Sequence, residues 1–137
     1  MTITGERLQR TARETADTLP GVSRGRPFVE KLDVYKVAGK VFLIVTDDPD
    51  ELIVTVKCEP DYGDSLRQEH ASIVPGRYLD KAHWISVGAG RGITAPLVED
   101  LVLHSYDLVL DSLPRRERPD EARGGSPAAG PTRSVRR

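Results

Sequence analysis

The stretch Pro75–Val87, PGRYLDKAHWISV, decides how this chain is read. Pro75-Gly76 is a turn signal, Arg77 and Lys81 make the following loop basic, and a strand begins around residue 83. Trp84 is the single tryptophan of the chain, and a large aromatic at the head of a strand is expected to anchor it in the core. Neighbouring strand residues point to opposite faces, so a buried Trp84 turns His83 outward or toward a helix end. The stretch therefore predicts a turn, an exposed basic loop and a core strand over 83–88. Any binding surface is expected to include that loop.

Outward from this stretch the pattern is a series of strands framed by helices. DVYKV, residues 33–37, alternates, and Ala38-Gly39-Lys40 is a compact turn. VFLIVT, residues 41–46, is apolar on both faces, as a central strand is. Asp47-Asp48-Pro49-Asp50 ends it, and LIVTVK, residues 52–57, is a third strand. Short links between successive strands imply antiparallel pairing. Leu8, Ala12, Ala16 and Leu19 share one face of a helix over residues 4–19, stopped by Pro20-Gly21. Arg24, Arg26 and Pro27 read as a polar connection.

Glu59-Pro60-Asp61 starts a short helix through Glu69, with Leu66 as its core contact. Beyond the flexible GAGRG link (88–92), Thr94 caps a final helix. Its Leu97, Leu101, His104 or Ser105, Leu108, Val109 and Leu113 run down one side as far as Pro114. The order, helix, three or four strands, helix, one or two strands and helix, predicts an α+β fold in two layers, an antiparallel β-sheet with helices on one face, over residues 1–114. Residues 115–137 hold almost no large apolar side chain and are expected to be a disordered Arg/Pro/Gly-rich tail.

Composition narrows the function classes. A chain of 137 residues, 38% hydrophobic, is one domain with a real core. A lone cysteine, Cys58, excludes an internal disulfide and a multi-cysteine zinc site. Residues 1–20 are polar and mixed in charge, unlike a signal peptide, and no apolar run reaches the roughly 18 residues of a membrane span. The expectation is a soluble cytoplasmic protein, monomeric or weakly dimeric. Seven arginines against Glu117, Asp120 and Glu121 make residues 114–137 net +4 and leave the remainder, from a total of −1, at −5. A net acidic body attracts polyanions only through a local patch or the tail.

The strings LPGV (19–22), DVYKVAGKVF (33–42), VKCEP (56–60), PGRYLDKAHW (75–84) and HSYDLVLDSLP (104–114) resemble, in this order, the MmcQ/YjbR family of small bacterial proteins. The likeness covers roughly residues 15–114. It implies a compact domain with an antiparallel sheet, related to CyaY-like and secretion-chaperone-like architectures. It also implies DNA binding through paired wing-like loops. The sequence departs from the family at Asp80, where members often carry asparagine, and in the glycine-rich 88–92 link.

The candidate DNA contacts are Arg24, Arg26, Lys57, Arg77, Lys81 and His83, placed on phosphate if folding gathers them on one side. The plainer reading keeps them as solvated charges, with His83 bonded to a backbone carbonyl and Trp84 a core anchor. Cys58 beside Lys57 is a nucleophile only if a base reaches it, and otherwise an inert buried thiol. His70, His83 and His104 lack metal-ligand spacing, and GAGRG matches no phosphate-loop pattern, so no metal or cofactor is expected. No catalytic constellation is visible. The expected function is non-enzymatic DNA binding or a transcription-associated role. The alternative is a binding module for a protein or small molecule, in a chaperone-like or sequestering role.

Overall fold

The computed structural model describes residues 2–25, 32–46, 48, 50–76 and 79–118. Helix α1 (Gly5–Asp17) is followed by strands β1 (Val22–Gly25), β2 (Leu32–Val37), β3 (Lys40–Thr46) and β4 (Ile53–Lys57). Then come α2 (Pro60–Glu69), β5 (Ile73–Pro75), β6 (Trp84–Gly88), α3 (Ala95–Asp111) and a single 3₁₀ turn, Arg115–Glu117. The strands form one six-stranded sheet in the order β1-β2-β3-β4-β6-β5, and every neighbouring pair is antiparallel.

Each helix begins where the sequence either caps a free N–H group or removes one. The Thr4 and Thr94 hydroxyls accept from the backbone N–H of Arg7 and Leu97, and Pro60 and Pro96 occupy first-turn positions where no donor is needed. α1 buries Leu8, Ala12 and Ala16 at four-residue spacing, with Leu19 packed at the margin. In α3 the buried stripe is Val98, Leu101, Val102, Ser105, Tyr106 and Val109. The expected Leu97 and Leu108 sit at its border, because α3 packs on α1 as well as on the sheet and its stripe is rotated toward both.

All three helices lie on the same face. The sheet side marked by Asp33, Tyr35, Leu43, Val56 and Ile85 meets them at three points. Arg13 of α1 pairs with Asp33, Tyr106 of α3 stacks edge-on against Phe42 at 5.4 Å, and Gly63 of α2 lies against Ile85. The two-layer α+β reading holds.

The sequence order allows three or four strands before α2 and one or two after it; the structure has four and two, and the residues of the two additional strands carried no strand assignment. β1 was expected to be a polar connection, and it pairs with β2 from Val22↔Val37 to Gly25↔Val34. Its four residues, VSRG, hold one apolar side chain, so no alternation is visible. β5 is three residues long and pairs only with β6. Trp84 is not the core anchor. Register puts it beside Lys57 on the helix-free face, half-buried, while Ile85 and Val87 fill the core from that strand. Of the tail, Arg115–Glu117 form an ordered turn and the Arg118 guanidinium bonds the Leu113 carbonyl, so the helical body runs past Pro114. The rest of the expected disordered segment lies outside the described residues.

The β2–β3 hairpin closes through Ala38 and Gly39, at φ 52° and 79°. Two left-handed residues in a two-residue turn match the twist of the flanking strands, and glycine takes that conformation freely where alanine is strained. Beyond the turn, register shifts between Tyr35 and Lys36, and Phe42 is the extra residue of a β-bulge. The bulge lets both Phe42 and Leu43 be fully buried.

Candidate nucleic-acid interface

Alternation and register sort the charges of the sheet. The strand positions facing away from the helices are Ser23 and Gly25; Leu32, Val34 and Lys36; Val41, Ile44 and Thr46; Ile53, Thr55 and Lys57; Val74; and Trp84, Ser86 and Gly88. Among these described positions are two lysines and no carboxylate. Asp33, the single acid within the strands, faces α1 and pairs with Arg13. The central row Val34, Ile44, Thr55 and Ser86 is buried, with the Thr55 and Ser86 hydroxyls 2.7 Å apart.

Lys36, Val41, Lys57 and Trp84 form the next row, at the end of the sheet where the Ala38-Gly39 turn lies. Lys57 and Trp84 are directly paired across β4 and β6. Lys40 begins β3 beside the turn, and Lys81 is exposed in the turn that leads into β6. α3 descends to the same end: the Ser105 hydroxyl donates to the Phe42 carbonyl (2.6 Å) and accepts from the Lys57 N–H (2.9 Å). Arg115, Arg116 and Arg118 follow α3 there. The acids Asp48, Asp50 and Glu51 lie in the β3–β4 connection at the opposite end.

The six expected contacts do not make one face. Arg24 sits on β1 opposite Tyr35, its guanidinium 5.9 Å over the Tyr35 ring, on the helix-bearing side. Three strand spacings, roughly 14 Å, separate β1 from β4 across the sheet. Arg26 and Arg77 lie outside the described residues. Lys57 and Lys81 share the turn end with His83, whose backbone carbonyl accepts from Cys58. Among the described residues the His83 ring bonds no backbone carbonyl. Its Nδ1 is 3.0 Å from Asp80 Oδ2, and Asp80 Oδ1 accepts from Ala82 N–H at 2.9 Å. The Ala82 N–H, and then His83, hold the Asp80 carboxyl below its ordinary range. His83 thus braces the turn.

Lys36 and Lys40 were not singled out from sequence. The predicted hairpin already placed Lys36 just before its turn and Lys40 within it. What was missing was the register that puts Lys36 in line with Lys57, two strands away.

The remaining reactive side chains are scattered. Cys58 is 2% exposed, and burial, reinforced by Glu59, pushes its thiol up to about 12, so it carries no thiolate at neutral pH. His70 lies against the 90–92 backbone, where a Cβ on Gly92 would come within 2.8 Å of its ring; the glycines of this link are needed for close approach. His104 stands between α3 and α2, Nε2 3.4 Å from Glu59 Oε1, with the Tyr62 ring edge-on. Among the described residues no three His, Cys, Asp or Glu side chains converge as metal ligands, and no helix is long and apolar enough to cross a membrane.

The YjbR family model matches residues 17–108, two thirds of the chain and nearly the whole sheet with its helices. The chain belongs to the YjbR family. Within it, the uncharacterized protein YbdF of Escherichia coli O157:H7 is 35% identical over 111 residues, 81% of this chain and 91% of that protein. YjbR of Escherichia coli K12 is 31% identical over 88 residues, covering 64% of this chain and 75% of its own length. Among solved structures, the Deinococcus radiodurans protein DR2400 superposes with a TM-score of 0.72 at 30% identity, over 84% of this chain and 86% of that one. A Pseudomonas syringae protein shares the fold at a TM-score of 0.60 and 20% identity, over 77% and 98% of the two chains. The YjbR domain therefore accounts for the ordered body, including the hairpin and the turn before β6.

Proposed function

We propose that this YjbR-family chain is a non-enzymatic nucleic-acid-binding protein that holds the phosphate backbone on the turn end of its helix-free face. The observation that carries the reading is charge sorting. The described strand positions of that face hold Lys36 and Lys57 without a carboxylate, and the turn before β6 adds Lys81. The excess acid of the body belongs to helices and connections. Asp80, the acid nearest Lys81, is occupied by His83 and the Ala82 N–H. Three lysines predict a modest affinity that falls with salt, with a log–log slope of about −2 to −3 on duplex.

The test is a fluorescence-anisotropy titration of labelled oligonucleotides with nucleic-acid-free protein at about 50 mM salt and above. The triple variant K36E/K57E/K81E is expected to bind at least tenfold more weakly than the parent. Absence of binding by the parent at low salt overturns the reading.

A second reading, a module for a protein or small molecule, is favoured by one feature, the groove of about 840 Å³ between α1 and α3. It is lined by Arg7, Arg10, Glu14, Thr18, Leu19 and Glu99 among others. Its lining mixes both signs of charge and is remote from the lysines. A ligand bound there would be indifferent to the triple variant.

A further inference from the structure

Trp84 has an unusual placement for a lone tryptophan. Its backbone is fixed: the Trp84 carbonyl accepts from Gly76 N–H at 2.7 Å, and a Cβ on Gly76 would fall 2.5 Å from the Trp84 Cβ. Its ring projects from the helix-free face and is half-buried. Among the described residues the ring stacks on no other aromatic or cation, and its indole N–H meets no acceptor. Beside it on the same face Val74 is 46% exposed, the diagonal neighbour through the Val74↔Ser86 pair, and Leu79 in the adjoining turn is 37% exposed. Lys57 stands directly opposite Trp84, Lys36 two strands further along the same row, and Lys81 in the turn. An apolar, aromatic platform is thus bordered on two sides by cations.

Resting on the reading above, we infer that the nucleic acid bound is single-stranded, with one base stacked on Trp84 and the flanking phosphates on Lys57 and Lys36. A duplex keeps its bases stacked inside and offers this surface phosphates alone, leaving the exposed apolar positions without a partner. An unpaired base presents an apolar face to the indole, while its backbone continues along the lysine row. Stacking on one aromatic is tolerant of base identity, so little sequence preference is expected.

Because Trp84 is the only tryptophan, its emission reports the contact directly. The full chain is titrated with a single-stranded oligonucleotide of about 12 nucleotides and with a duplex of the same length. Emission quenching is read beside the anisotropy of the labelled strands. The expected result is quenching by the single strand, weak or absent with the duplex. Trp84→Leu should lose about tenfold in single-strand affinity with duplex binding unchanged, and Trp84→Tyr, which keeps a stacking ring, should stay within a few-fold of the parent. Circular dichroism and thermal melts establish that both variants are folded. Equal binding of both forms without quenching, and no effect of Trp84→Leu, overturns the inference and leaves a phosphate-only site. Capture of neither form overturns the reading beneath it as well.

Discussion

Ser105 is the hinge of the strand arrangement at the lysine end, and its removal has a calculable cost. The β3–β4 ladder runs from Val45↔Val54 to Leu43↔Val56, and the next rung would join Phe42 to Lys57. The bulge at Phe42 interrupts it. The Ser105 hydroxyl fills the gap, accepting from Lys57 N–H and donating to the Phe42 carbonyl. Ser105 is fully buried, so water has no ready access to replace it. Ser105→Ala strands one buried donor and one buried acceptor, each worth about 1–3 kcal/mol when left unpaired. Partial closure of the rung returns some of this, and a net loss of about 2–4 kcal/mol is expected. That is a large share of the roughly 5–15 kcal/mol that holds a domain together. Urea unfolding followed by Trp84 emission and far-ultraviolet circular dichroism reads the loss as a lower midpoint at unchanged slope. Ser112→Ala is the control. That hydroxyl bonds the Val109 carbonyl of its own helix in an exposed position, and its loss is expected to stay within about 0.5 kcal/mol. A loss below about 1 kcal/mol in Ser105→Ala would show that the ladder closes without the hydroxyl and refute the bridging argument.

Other perturbations test separate parts of the structure. Gly76→Ala drives a methyl into the Trp84 backbone, with carbon and oxygen at 2.9 Å, so a loss of about 2 kcal/mol and a shifted Trp84 emission maximum are expected. Ala38→Asn suits the left-handed turn better and should raise stability by about 0.5–1 kcal/mol in thermal melts. The Cys58 thiol ionises near 9.0 when unfolded and near 12 when folded. Its contribution to stability is therefore complete below pH 9 and lost as pH rises from there toward 12; Cys58→Ala should flatten that part of the stability–pH curve. At neutral pH the native thiol should resist an aromatic disulfide reagent until urea unfolds the chain. Asp80→Asn removes the carboxylate beside Lys81 and should strengthen oligonucleotide binding a few-fold at low salt while loosening the 79–83 turn, seen as faster amide exchange there.

The elements that were legible in the chain are those whose signals are local. Leu8, Ala12 and Ala16 recur at helical spacing, Thr94 and Pro96 mark a helix start, and Ala38-Gly39 links two β-rich runs at a distance that leaves only a tight turn. These patterns arise from backbone sterics and from burial of one face, so they are written in residues a few positions apart. β1 and β5 carried no such signal, because a short edge strand is held by backbone pairing that its side chains do not announce. Trp84 was misplaced for a related reason. Hydrophobicity says that a tryptophan prefers burial, but one step of register decides whether it or Ile85 faces the helices. The candidate interface belongs wholly to this second kind of information. Lys36 and Lys57 are 21 positions apart in the chain, and Arg24, nearer to Lys36, ends on the other face. Alternation along each strand could be read beforehand. Which strands become neighbours, and in what register, depends on long-range pairing and on a bulge bridged by a serine from a distant helix, and so the grouping of charge existed only once the sheet had formed.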